Sequence, residues 1–308
     1  MSLKACEEKN AKIWFNGELV EWRDAKIHIL THALHYGSSV FEGIRAYRTK
    51  KGTAIFRLTD HMKRLINSAK IYYMDIPYSL EELVEAAKEV VRVNNFDSCY
   101  IRPIVFRGYG VMGLNPLQAP IEVAIAAWPW GAYLGEEGIK NGVRAKISSI
   151  ERIGVNTLPP QAKAGGQYIN SILAKLEALN CGFDEAIMLD QNGYVSEGSG
   201  ENIFVVKNGV IYTPPVACSI LEGITRNSVT KIAEELEYDV RERLLVRSDL
   251  YLADEAFFTG TAAEVVPIRE VDNHPIPQPW PILRKIQERF YGILRGEIED
   301  KYGWMEYI

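Results

Sequence analysis

The chain of 308 residues has no long apolar run. Its longest, VAIAAWPWGAYL at 123–134, is broken by Pro129 and falls short of the roughly 18 residues a membrane-spanning helix needs. The opening decapeptide MSLKACEEKN is charged and has no apolar core, so the expectation is a cytoplasmic protein without a secretory leader. An excess of positive charge is also missing. Lysine and arginine total 35 against 40 acidic residues, a net charge of −5, and they are scattered along the chain. That distribution excludes the basic stripe that neutralises nucleic-acid phosphates and leaves small molecules as the expected partners. Cysteine is sparse, at positions 6, 99, 181 and 218, with no Cys-x-x-Cys pair, so free, mostly buried thiols are expected rather than a disulfide framework. Three of the five histidines fall in HILTHALH (28–35) with no acidic or cysteine ligand beside them, so strand or loop packing is preferred to a metal and none is expected. There is no internal repeat and no low-complexity tract.

What is present is the composition of a soluble globular protein, 47% hydrophobic and 24% charged, at a length that suggests two domains. KIWFNGELVEW alternates apolar and polar residues about Asn16-Gly17, which predicts an opening hairpin. SVFEGIRAY and TAIFRL continue as strands around a Lys50-Lys51-Gly52 turn. Thr59 is placed to cap a helix whose Met62, Leu65, Ile66 and Ala69 recur at helical spacing, and Ser79 with Glu82 forms a capping box before a second helix. Both helices should cover one sheet face. CYIRPIVF and IEVAIAAW return as strands.

A second set of elements runs from VRAKISSI through a helix ending at Cys181-Gly182, strands in DEAIMLD and NIFVVKNGVIYT, a helix after Gly223, and strands through FFTG and EVVPIR. Pro279 is expected to begin a closing helix, and KYGWMEYI is aromatic enough to dock. The fold class is therefore α+β in two unequal domains, residues 1–128 and 141–308 joined by a loop at 129–140, with the active site expected at their junction.

TLPPQAKAGGQYIN (157–170) surrounds Lys163 with small residues, as if room were cleared beside its amine for something flat. A held, partly desolvated lysine is the nucleophile that captures the aldehyde of pyridoxal phosphate. Tyr168 follows at a helix start. EGSGEN (197–202) ends a strand with Glu197, a carboxylate suited to a pyridine nitrogen, while Glu201 is the expected solvent-facing member of the pair. LEGITR (221–226) and GTAAE (260–264) offer glycine turns with backbone donors for a phosphate.

These stretches, taken with THALHYGSSVFEGIR (31–45), HMKRL (61–65), YIRP (100–103), MGLNP (112–116) and WPWGAYLG (128–135), occur in the order found in the branched-chain amino-acid aminotransferases, and the chain resembles that family from about Ile13 to its closing helix. The family is a fold type IV pyridoxal phosphate enzyme. Gln167 stands where asparagine is more frequent, and Leu114 where valine is. The resemblance implies reversible transfer of the amino group of L-leucine, L-isoleucine or L-valine to 2-oxoglutarate by a ping-pong mechanism. It implies Lys163 as the Schiff-base lysine and proton carrier, Glu197 at the ring nitrogen and Tyr168 at the ring oxygen. Arg64, Ile224, Thr225 and Thr261 would hold the phosphate, and Tyr100 with the N–H groups of Thr261 and Ala262 the substrate α-carboxylate. Phe41, Trp130 and Tyr168 would wall the side-chain pocket, with Tyr36 and Leu114 arriving from a neighbouring subunit, so a homo-oligomer (dimer or hexamer) is implied. Arg102, helped by the Tyr36 hydroxyl, is the candidate for the γ-carboxylate of glutamate. The alternatives are a D-amino-acid aminotransferase or an aminodeoxychorismate lyase of the same fold, which the Tyr100/Arg102 pair and the MGLNP loop disfavour, or a scaffold that keeps the fold without cofactor.

Overall fold

Asn16 and Gly17 both take positive φ and turn the chain from strand Lys12–Phe15 into Glu18–Glu21, the hairpin that the alternating pattern predicts. The computed structural model describes residues 3–131 and 133–308. These form two units, the first comprising residues up to Gly131 together with Ala162–Gly166 and Ile293–Ile308, the second residues 133–161 and Gln167–Gly292. Each has its own sheet, in keeping with an α+β fold. Among the described residues no helix is long and apolar enough to cross a membrane.

The sheet of the first unit has eight strands, in the order Met305–Tyr307, Gly52–Phe56, Ile44–Thr49, Cys99–Arg107, Ile121–Trp128, Lys12–Phe15 and Glu18–Glu21, with Ser39–Phe41 also paired to Cys99–Arg107. SVFEGIRAY is one register but two strands. Phe41 lies opposite Ile104 and Ile44 opposite Ile101, which puts Glu42 opposite Pro103. Glu42 N–H donates to the Pro103 carbonyl at 2.9 Å, and Pro103 has no N–H to return, so the ladder breaks there. Helices Leu58–Ile71 and Leu80–Val93 bury Met62, Leu65, Leu83, Val90 and their neighbours in one core with Ile44, Ile101 and Val123 of the sheet. The Ser79–Glu82 capping box is complete.

Thr59, in contrast, does not cap its helix. Its N–H and hydroxyl both donate at 2.7 Å to the carboxylate of Glu306, which arrives on the docked C-terminal strand. A carboxylate satisfies first-turn donors and complements the helix dipole better than a hydroxyl within the turn.

The second unit carries nine strands, in the order Val195–Gly198, Glu185–Leu189, Val143–Ile147, Glu264–Val271, Glu255–Gly260, Asn202–Lys207, Val210–Thr213 and Val240–Glu242, with His274–Pro275 paired beside Glu264–Val271. Val143–Ile147 runs parallel to both neighbours. Phe204, Phe257 and Phe258 are fully buried, and helix Ile224–Glu235 packs on strand Glu255–Gly260. The closing helix is Pro281–Leu294, starting two residues later than expected because the second proline of QPWP, not Pro279, takes its first position. All four cysteines are free, Cys6, Cys99 and Cys218 buried and Cys181 exposed.

Candidate active site

The lysine segment joins the first unit as an extra, strand-like edge. Phe41 N–H donates to the Lys163 carbonyl at 3.0 Å, Val40 bridges Ala164, and Gly166 N–H donates to the Gly37 carbonyl at 3.1 Å. Lys163 N–H donates to the Ser68 hydroxyl at 3.0 Å. The small residues serve this packing. A Cβ on Gly165 would fall 2.3 Å from Ser39 Oγ, so the glycine permits the close approach of this backbone to Ser39. With the main chain so held, Lys163 Nζ lies 5.1 Å from the centroid of the Phe41 ring, and the Arg102 guanidinium carbon lies 4.5 Å from the same centroid.

Helix Leu58–Ile71 supplies the next layer. His61, Arg64 and Ser68 follow one another at i, i+3 and i+7 and so share a face. Arg64 is not a solvated charge, its side chain being 15% exposed, and it forks onto Glu42 with Nε to Oε1 at 2.7 Å and Nη2 to Oε2 at 2.8 Å. His61 Nδ1 donates to the same carboxylate at 2.7 Å. Burial would raise the Glu42 carboxyl, but the Arg64 charge and then His61 hold it well below the usual carboxylate range. Burial pushes the His61 imidazole below its ordinary value, against the pull of Glu42.

Tyr100 is buried, its ring 4.6 Å from Trp130 in an edge-on contact and 5.2 Å from Trp128. Arg102 Nη2 donates to its hydroxyl at 3.0 Å. A Cβ on Gly43 would fall 1.9 Å from that hydroxyl oxygen, so glycine at 43 is a condition of where Tyr100 rests. Phe41, Arg64, Tyr100, Arg102, Trp130 and Lys163 thus belong to one contiguous set. Tyr36 and Leu114 are turned out instead, 44% and 90% exposed. The buried His32 ties their segments together, Nε2 donating to the Gly113 carbonyl at 2.9 Å with Nδ1 2.7 Å from Ser38 Oγ. His35 Nε2 donates to the Ile29 carbonyl at 2.8 Å, and His28 packs against the Tyr109 ring at 4.2 Å.

In the second unit Glu197, on strand Val195–Gly198, is held by Arg152, Asn202 and Leu221. Arg152 Nη2 is 2.9 Å from Oε1, while Oε2 accepts from Asn202 Nδ2 at 2.9 Å and from Leu221 N–H at 3.1 Å. Asn202 also donates to the Leu221 carbonyl at 2.9 Å, which fixes both partners of that oxygen. Tyr168 begins helix Tyr168–Asn180, Ile224 and Thr225 open helix Ile224–Glu235 after Gly223, and Thr261 and Ala262 lie in the turn between strands Glu255–Gly260 and Glu264–Val271.

Glu201 corrects the sequence reading. It is 4% exposed rather than solvent-facing, and burial, then the charge of Glu185, raise its carboxyl to about 8. Glu185 itself is engaged with Lys175 Nζ and Ser199 Oγ, each at 2.6 Å. A carboxyl that holds its proton more tightly when folded favours the native state below the unfolded value of 4.5, and this contribution is lost as pH rises towards about 8. Each tenfold change in proton affinity is worth about 1.4 kcal/mol. Glu201→Gln is therefore expected to gain on the wild type by a few kcal/mol between pH 5 and pH 8, read as urea unfolding midpoints. Parallel pH profiles for the two proteins would contradict this.

Glu42, His61, Arg152 and Asn202 were not singled out in the sequence. The first two carry a signal, polar residues recurring at i, i+3 and i+7 on the buried face of an amphipathic helix, with an acid close by in FEGIR. Arg152, a single arginine in a loop, carries none.

Residues 39–271 match the family described as Amino-transferase class IV. The chain is 52% identical over 299 residues to the branched-chain-amino-acid aminotransferase of Escherichia coli (strain K12), covering 96% of this chain and 97% of that one. It is similar to the crystal structure of the E. coli branched-chain amino acid aminotransferase, with a TM-score of 0.95 and 51% identity over 96% of this chain and 99% of that one. The T.th. branched-chain amino acid aminotransferase solved with pyridoxamine 5'-phosphate gives a TM-score of 0.93 and 51% identity, covering 97% of this chain and 98% of that one.

Proposed function

Because this chain belongs to the class IV aminotransferases, and within them to the branched-chain-amino-acid aminotransferases, we propose that it transfers the amino group of L-leucine, L-isoleucine or L-valine to 2-oxoglutarate with pyridoxal 5'-phosphate. The cycle is ping-pong and yields branched 2-oxo acids and L-glutamate in the cytoplasm. The observation that carries the reading is the lysine whose main chain is fixed on Phe41 and Ser68 while its amine lies over an aromatic ring. The residues fit such a cofactor: an amine for its aldehyde, an arginine oriented by Glu42 for its phosphate and a buried carboxylate for its ring nitrogen.

When bound, pyridoxal phosphate supplies the electron sink that acidifies the Cα–H of the amino acid. Lys163 Nζ anchors it and moves the proton between Cα and C4′. Glu197 takes the ring N–H and Tyr168 the ring oxygen. Arg64, with the N–H groups of Ile224, Thr225 and Thr261, holds the phosphate. Tyr100 and the N–H groups of Thr261 and Ala262 orient the α-carboxylate. Phe41, Trp130 and Tyr168 exclude water from the side-chain pocket.

Tyr36 and Leu114 complete that pocket in a neighbouring copy. Their exposure, shared by Ile29, Met112 and Leu117, supports a homo-oligomer. The names of the relatives do not favour a D-amino-acid aminotransferase or an aminodeoxychorismate lyase, and no contact favours either.

One pocket must admit both an aliphatic side chain and a carboxylate. Arg102 suits this because its guanidinium is covered by the Phe41 ring and its Nη2 is spent on the Tyr100 hydroxyl. A branched chain meets aromatic carbon there, and a carboxylate meets a cation. The test is to follow each half-reaction of the loaded protein by absorbance in single turnovers. Leucine, isoleucine and valine should differ by no more than about 200-fold, the limit for a methylene in an apolar pocket. Arg102→Leu should slow the glutamate half-reaction at least about tenfold more than the leucine one. Equal losses would remove Arg102 from this role, and a spectrum that responds to D-alanine but not L-leucine would overturn the function.

A further inference from the structure

Of the donors Arg152, Asn202 and Leu221, Arg152 is the charged one, and the side chains of both members of this ion pair are more than nine-tenths buried. Among the described residues Arg152 has no competing carboxylate. Its Nη1 reaches Ser171 Oγ at a long 3.4 Å, its Nε is buried without a hydrogen bond, and its own main-chain N–H is fixed on the Leu189 carbonyl at 2.8 Å. Another buried acid nearby in sequence, Glu185, has Lys175 as its cation. The guanidinium is therefore dedicated to Glu197.

Resting on the function proposed above, we propose that Arg152 is a positioning residue that keeps the proton shared by Glu197 and the cofactor's ring nitrogen on the nitrogen. One proton lies between two bases, a carboxylate oxygen and a pyridine nitrogen. A cation against Glu197 Oε1 stabilises the carboxylate as an anion, so the shared proton would rest on the ring nitrogen. Without the cation, an anionic carboxylate in a buried site is costly, and the neutral alternative, carboxylic acid beside unprotonated pyridine, gains. An opposite charge within about 4–6 Å changes a carboxyl's proton affinity by about 10- to 1000-fold, enough to decide where a shared proton resides. Asn202 and Leu221 orient the carboxylate but supply no net charge, so they do not replace the arginine in this respect.

The test loads the apoprotein with pyridoxal phosphate labelled with ¹⁵N in the ring and reads the ring-nitrogen chemical shift near neutral pH. Wild type and Arg152→Lys should both report a protonated nitrogen, and Arg152→Met a nitrogen moved towards the unprotonated pyridine value. A neighbour with a purely structural role would not separate lysine from methionine in this way. Should Arg152→Met fail to fold, Arg152→Gln takes its place, since it keeps a donor and removes the charge. A protonated ring in the charge-free variant, unchanged from wild type, overturns the inference. Glu197→Gln is the control for the parent reading: if that change leaves the signal where it was, Glu197 is not the ring's partner and the assignment beneath fails. A shift in Glu197→Gln with none in Arg152→Met overturns the inference alone.

Discussion

Lys163→Ala is expected to lower turnover with leucine and 2-oxoglutarate by about ten-thousand-fold or more, while the protein still takes up pyridoxal phosphate. The size follows from two roles lost together. General acid–base catalysis alone contributes about a hundred- to ten-thousand-fold, and the same side chain is the proposed covalent anchor. The structure makes the substitution clean. The carbonyl and N–H of residue 163 hold the segment to Phe41 and Ser68, and neither involves the side chain. The neighbouring Ala162 and Ala164 are buried and unaffected. Cofactor binding should persist through the phosphate contacts assigned to Arg64, Ile224, Thr225 and Thr261, now reversible on dialysis. Steady-state rates alongside the cofactor content of the dialysed protein measure both effects. Turnover near that of the wild type would remove the lysine from its role.

Glu197→Gln should be the next most damaging change, lowering amino transfer by about a hundred- to a thousand-fold, the range seen when one preorganised electrostatic group is removed. Glutamine preserves volume but keeps one acceptor oxygen where the carboxylate has two, so it can accept either from Arg152 or from Asn202 and Leu221, with its NH2 turned to the other side. What it loses is the negative charge. In the proposed role the ring N–H would then face a neutral amide, and Arg152 is left as a buried cation with no counter-ion, a situation that costs about 3–5 kcal/mol when one partner of a buried pair is removed. The variant should therefore be both slow and less stable. Half-reaction rates with L-leucine and a urea unfolding curve on the same preparation separate the two. A variant that loses stability yet keeps wild-type rates would show that the carboxylate only supports the fold.

The parts of this molecule that could be read from the sequence are those set by neighbours along the chain. Asn16-Gly17 and Asn208-Gly209 specify turns because the dipeptide itself tolerates positive φ, and Ser79 with Glu82 closes a capping box within one helical turn. Lys163, Glu197 and Arg64 were picked out as candidates through an ordered series of short motifs rather than through any one of them. The features that escaped are long-range. Thr59 gives its donors to Glu306, 247 residues away in sequence, and no local pattern announces that. Glu42 becomes the anchor of Arg64 and His61 because the strand breaks opposite Pro103, a consequence of register. Glu201 reads as an exposed acid between a glycine and an asparagine until the packing of Gly198 against it and the charge of Glu185 are known. Arg152 pairs with a carboxylate 45 residues later from an unremarkable loop.

The most direct test concerns a single nitrogen. The active, yellow protein is reduced with borohydride, digested and mapped by mass spectrometry. The phosphopyridoxyl group is expected on the ε-nitrogen of Lys163, in the peptide containing AKAGGQY, with matching loss of activity. A fully inactivated protein whose label lies on another lysine, or on none, would contradict the assignment from which the roles of Glu197, Tyr168, Arg64 and Arg152 all follow.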